Sequence, residues 1–93
     1  MKQKAAENLA IQALAYLAAE PEKLGAFLGA AGIDPATIRD AAREPGFLAG
    51  VLDHLAADER LLIGFAEHAG CDPALVMRAR ATLSGEPWER DMP

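Results

Sequence analysis

Long apolar segments alternate along this chain with short breaks of glycine, proline and acidic residues. Only three positions between 5 and 19 are polar, which predicts a first helix over about 3–19 that is apolar on nearly all sides. Such a helix is expected either to be buried or to have several packing faces. Pro21 fits the first turn of a second helix, where its missing N–H costs nothing, and Gly32 fits the end of that helix.

The same punctuation predicts the later helices. A third helix starts at the Asp-Pro pair at 34–35, and Pro45 breaks it. The apolar stripe over 47–69 forms either two helices divided at Asp58 or one long helix, because no Pro or Gly forces a break there. A last helix is expected over about 73–83, again after an Asp-Pro pair.

Composition supports an all-α fold of five or six helices. The five helix-favouring types Ala, Leu, Glu, Arg and Lys fill 50 of the 93 positions, and Val, Ile and Thr together fill only 8. Straight-chain residues and Ala lose little entropy in a helix, whereas strands favour branched and aromatic residues. The length allows one domain.

The chain resembles itself after a shift of 38 residues. Residues 9–46 align with 47–84 without a gap and share 12 identities, among them Phe27 with Phe65 and Gly32 with Gly70. This predicts one helical domain over 1–85 made of two similar three-helix units, packed about a pseudo-twofold axis. Convergence of two helix turns on the same residues is the alternative. Residues 86–93 are predicted to be a mobile tail.

The apolar stripes also predict the core. Truncating a large member of it to Ala is expected to remove much of the stability. The predicted core residues are Leu14, Leu17, Leu24, Phe27, Ile38, Val51, Leu52, Leu55, Leu62, Phe65 and Val76.

Charge and cysteine content exclude several functions. The single cysteine, Cys71, allows no internal disulfide and no zinc site built on several thiolates. The longest apolar run, over 13–19, is too short to span a bilayer, and no signal peptide is recognisable. We therefore expect a cytoplasmic protein that needs neither metal nor cofactor.

Residues 65–76 are similar to a helix-turn-helix motif, which makes Arg78 and Arg80 candidate nucleic-acid contacts. The helix that would enter the DNA groove begins with Asp72, however, and the net charge is −5. Nucleic-acid modules usually carry a basic surface instead. The sequence therefore favours a tight corner between two helices, and nucleic-acid binding remains the alternative function.

Two histidines could in principle act as general bases beside a carboxylate. His54 lies four residues before Asp58, and His68 follows Glu67. An exposed helix-pair contact explains His54 more simply, and an enzyme that uses His54 or His68 with a carboxylate is a remote alternative. The glycines at 25, 29 and 32 do not form a phosphate loop and are predicted to let a neighbouring helix approach closely.

The remaining hypothesis is a protein-interaction or self-associating module, with an unknown protein partner or a homodimer. The surplus of apolar helix surface and the acidic balance support it. Trp88 is a candidate anchor for a partner, because Trp is enriched at interface hot spots. Its alternative role is to fold back onto the bundle.

Four segments, over 6–17, 24–35, 47–55 and 58–66, are similar in combination to a known family. They resemble the small alphaproteobacterial proteins grouped as domain of unknown function 3572, and the resemblance covers about 5–83. It implies a small all-helical cytoplasmic bacterial protein. It implies no activity, cofactor or catalytic residue.

Overall fold

A computed structural model describes residues 1–44 and 46–84, and these form six α helices and one 3-10 turn. The all-α prediction is confirmed. In chain order the elements are α1 (Gln3–Ala18), α2 (Pro21–Ala31), the 3-10 turn (Pro35–Thr37), α3 (Ile38–Ala41), α4 (Phe47–Ala56), α5 (Glu59–Ala69) and α6 (Pro73–Ser84).

The apolar stripe over 47–69 forms two helices divided at Asp58 and not one long helix. Asp58 takes an extended conformation (φ −128°, ψ 104°), and its Oδ1 accepts a hydrogen bond from the backbone N–H of Leu61. This caps the N-terminus of α5. Glu20, 38 residues earlier, has nearly the same backbone conformation (φ −125°, ψ 111°) where α1 gives way to α2.

The two Gly turns also have matching geometry. Gly32 and Gly70 are left-handed (φ 71° and 68°) and end α2 and α5. After each glycine an Asp side chain accepts a hydrogen bond from the backbone N–H two residues on, at 2.9 Å from Asp34 and 2.8 Å from Asp72. The third elements differ, since α3 has four residues and α6 has twelve. The two-unit repeat as a whole stays a prediction.

The core lies where α6 packs against α1 and α4. Seven of the eleven predicted core residues are buried, and Leu14, Leu24, Ile38 and Leu62 are half-buried at its edge. Leu9, Leu28 and Phe47 are buried as well, although the predicted core did not include them. Alanines complete the core because their small side chains let the helices approach closely; they are Ala6, Ala10, Ala13, Ala49, Ala66 and Ala79.

Helix α1 buries only one of its apolar faces. Leu9 and Leu17 point into the core, whereas Ile11 on the opposite face is 52% exposed. Ala15 and Ala18, four and seven residues after Ile11, lie on the same face of the helix and are exposed as well. The side of α1 that carries Ile11 is therefore not covered by another helix of the described residues.

The prediction that Gly25 and Gly29 let a neighbouring helix approach is wrong. A Cβ added at either glycine would meet nothing within 4 Å, because both lie on the exposed side of α2. The close approach occurs at Gly64 in α5, where an added Cβ would lie 2.8 Å from the hydroxyl oxygen of Tyr16.

Candidate binding trench between α2 and α4

An open, mainly apolar depression separates α2 from α4; we call it the α2–α4 trench. Its central part has a volume of about 320 Å³. The ring of Phe27, only 2% exposed, forms the floor. Asp53 and His54 of α4 border the central part, and its walls otherwise carry small residues, Ala30 and Ala31 of α2, Gly50 of α4 and Ala57 just after α4. The trench exists because these side chains are too short to fill the space between the two helices.

The trench continues at both ends. Towards α3, a depression of about 260 Å³ shares Phe27, Ala31 and Gly50 with the central part and ends at Glu44. Towards α5, a depression of about 330 Å³ shares His54 with the central part and is bordered by Lys23 and Arg60, among others. The trench therefore carries Asp53 and His54 beside its apolar centre and Glu44 at one end. The other end carries Lys23 and Arg60 together with Asp58, and we call it the cationic end.

Aromatic contacts fix the floor. The Phe27 ring packs edge-on against Phe47, with centroids 5.9 Å apart, and against the imidazole of His54, with centroids 5.3 Å apart. Edge-to-face pairs of this kind add to the stabilisation that burial provides. Two ring contacts thus hold Phe27 in place, whereas the space above Gly50 is empty, since an added Cβ there would meet nothing within 4 Å.

The cationic end is organised around Tyr16. The Lys23 ammonium lies 5.0 Å from the centroid of the Tyr16 ring and 3.1 Å from Oε1 of Glu20. The hydrogen bond to Glu20, with a smaller contribution from Tyr16, raises the pKa of Lys23 above its ordinary value of 10.5. Asp58 also borders this end, and one of its oxygens is used to cap α5.

The two histidines lie in different depressions that share Tyr16 as a wall. His54 borders the trench, and His68 borders a groove of about 530 Å³ between α1 and α5, with its ring centroid 5.2 Å from that of Tyr16. Within residues 1–44 and 46–84, neither imidazole is hydrogen-bonded to a carboxylate. Each histidine packs against an aromatic ring instead.

Arg78 and Arg80, the other predicted contacts, do not line the trench, although Asp53, the partner of Arg80, does. Arg80 donates a hydrogen bond from Nε to Asp53, while Arg78 is exposed. Helix α6, which carries both arginines, packs against α1, α4 and α5. Trp88 lies outside the described residues. In the described part of the chain, no group of three or more His, Cys, Asp or Glu side chains could hold a metal ion.

Sequence reasoning missed the trench. The signal that could have found it is the presence of Ala or Gly at helical spacing on facing helices, as at Ala26 and Ala30 and at Gly46 and Gly50. Such spacing in an Ala-rich chain is common, and a trench requires that no third helix cover both stripes. That condition depends on tertiary packing.

The helices and their open trench define a small all-α bundle. Residues 3–86 match the family described as "Protein of unknown function (DUF3572)", and the chain belongs to that family. The resemblance seen in the residues is thus confirmed. No curated protein and no solved structure matches the chain. Among the described residues, none of the helices has the length and apolar character needed to cross a membrane.

Proposed function

We propose that the chain is a cytoplasmic protein-interaction module that receives an apolar helix of a partner in the α2–α4 trench. The observation that carries this proposal is the open trench above Phe27. Its floor is a buried aromatic residue and its walls are mainly small apolar residues, with Asp53 and His54 beside them. Grooves that bind amphipathic helices are likewise mainly apolar.

A helical partner fits the trench better than an extended peptide. Both walls are α helices, whose backbone N–H and C=O groups are already bonded within each helix. An extended peptide would therefore find few backbone partners there, whereas a helix satisfies its own backbone. Ala30 and Gly50 also allow the backbone of a third helix to come close.

Charge supports a protein partner over nucleic acid. The net charge of −5 repels phosphate, and the Arg80 guanidinium is occupied by Asp53. Arg78 alone is a weak basic surface. The nucleic-acid and enzyme hypotheses have no comparable support, since neither arginine borders the trench and each histidine packs against a ring.

Photo-crosslinking in the native cell tests the proposal. A photoreactive phenylalanine analogue replaces Ala30, which borders the trench, or Ala74, an equally exposed alanine on α6 that serves as the control. We expect a discrete protein adduct from position 30 and none from position 74. Equal adducts from both positions, or none from position 30, would contradict the proposal.

A further inference from the structure

We propose that the occupant of the trench is the exposed face of α1 from a second copy of this chain. This inference rests on the proposed function and names the partner. We define the α1 stripe as Ile11, Ala15 and Ala18, which are exposed and lie on one face of the helix. The three residues span about 10 Å along the helix, which fits within the trench, about 16 Å long from Gly46 to Ala57.

The size of the side chains is complementary. Ile11 is the most exposed of the large apolar side chains in the described residues, and the trench above Gly50 lacks any side chain. An isoleucine entering that space would pack above Phe27 and beside Gly50. The alanines of the stripe would lie against the Ala and Gly walls, so that two helix backbones can approach closely.

The charge at one end is complementary too. Lys4 lies seven residues before Ile11, on the same face of α1. The trench has Glu44 at one end and Arg60 at the other. Within the described residues, neither Lys4 nor Glu44 forms an ion pair. One orientation of the α1 stripe therefore pairs Lys4 with Glu44 of the second copy, whereas the reverse orientation places Lys4 beside Arg60.

The stripe and the trench meet at one corner of the molecule. Tyr16, on α1 between Ala15 and Leu17, also borders the cationic end of the trench. A twofold axis near this corner would place each stripe in the trench of the other copy at the same time. Reciprocal pairing of this kind is the usual form of a closed dimer.

Sedimentation equilibrium of the purified full chain and four variants tests the assignment. Ile11→Glu puts a carboxylate on the stripe, and Ile63→Glu makes the same change at an exposed isoleucine of α5. Gly50→Leu fills the trench, and Gly25→Leu adds the same side chain on the open side of α2. Circular dichroism melts verify that each variant is folded.

We expect the parent, Ile63→Glu and Gly25→Leu to associate with similar dissociation constants. Ile11→Glu and Gly50→Leu should each weaken association by more than about 10-fold, as loss of a central contact does. Mixing these two variants should restore a 1:1 dimer, because one copy keeps an intact trench and the other an intact stripe.

Three results would overturn the assignment: a parent that remains monomeric at the highest attainable concentration, a mixture that does not associate, or equal weakening by Ile63→Glu. A monomeric parent that still gives crosslinks from position 30 to a different protein would refute the second copy alone. Absence of those crosslinks as well would refute the proposed function with it.

Discussion

The hydroxyl of Tyr16 lies against the backbone of Gly64, 2.8 Å from where a Cβ would stand. Helix α5 can approach α1 there only because residue 64 has no side chain. The Tyr16 ring also packs against Phe65, with centroids 5.6 Å apart, and supports Lys23 at the end of the trench. This contact thus links the spacing of two helices to the position of the cationic end.

Gly64→Ala tests this contact in a double-mutant cycle with Tyr16→Phe. In the parent background the added methyl group meets the hydroxyl, so the gain in helix propensity is lost. With Tyr16→Phe the oxygen is removed, and Gly64→Ala should raise the free energy of unfolding by about 1 kcal/mol. Urea denaturation of the four proteins measures the difference.

Gly25→Ala is the matched control for that cycle, because a Cβ at position 25 meets nothing within 4 Å. It should stabilise the chain by about 1 kcal/mol in either background. If Gly64→Ala gave the same gain with and without the Tyr16 hydroxyl, the contact would have no energetic role.

Replacing the left-handed glycines should have the opposite effect. Gly32→Ala and Gly70→Ala force an L side chain into positive φ, and each should lower the free energy of unfolding by about 1–2 kcal/mol. Because the two turns have the same geometry, the two losses should be similar. A thermal melt in which either variant is more stable than the parent would contradict the left-handed conformation.

Truncation of the buried aromatic residues should be severe. Phe27→Ala and Phe65→Ala should each cost about 3–5 kcal/mol, which approaches the whole stability of a small domain. Met77→Ala, at a residue 39% exposed on α6, is the control and should cost far less. Melting temperatures equal to that of the parent for both Phe variants would show that the core assignment is wrong.

Lys23 should titrate above its ordinary pKa of 10.5 because Glu20 accepts its hydrogen bond. The raised pKa means that the bond stabilises the fold fully below the unfolded pKa of about 10.4, and that this contribution is lost as the pH rises through the folded pKa. Glu20→Gln should lower the pKa measured by NMR of the lysine side chain. An unchanged titration in Glu20→Gln would exclude Glu20 as the cause.

Sequence patterns predicted the helices well because their ends depend on local chemistry. Asp58 and Gly70 determine backbone geometry through their own side chain or its absence, and such effects act within a few residues. The seven predicted core residues that are buried, such as Phe65 and Val76, follow from helical periodicity in the same way.

The trench could not be predicted because it depends on which faces of α2 and α4 are left uncovered by other helices. Gly25 and Gly50 are both helical glycines in apolar segments, yet Gly25 lies on the open side of α2 and Gly50 lines the trench. Likewise, periodicity placed Leu17 in the core and left Ile11 out of it, but it could not show what packs on the Ile11 side of α1. That depends on how the helices pack together.

An isotope-filtered nuclear Overhauser experiment on a mixture of labelled and unlabelled chains tests the central claim most directly. It detects proximity between protons of different copies. We predict intermolecular signals from the Ile11 methyl groups of one copy to Ala30 and Gly50 of the other. Intermolecular signals from Ile11 to residues outside the trench, or intermolecular signals confined to Ile63, would contradict the docking of α1 in the α2–α4 trench.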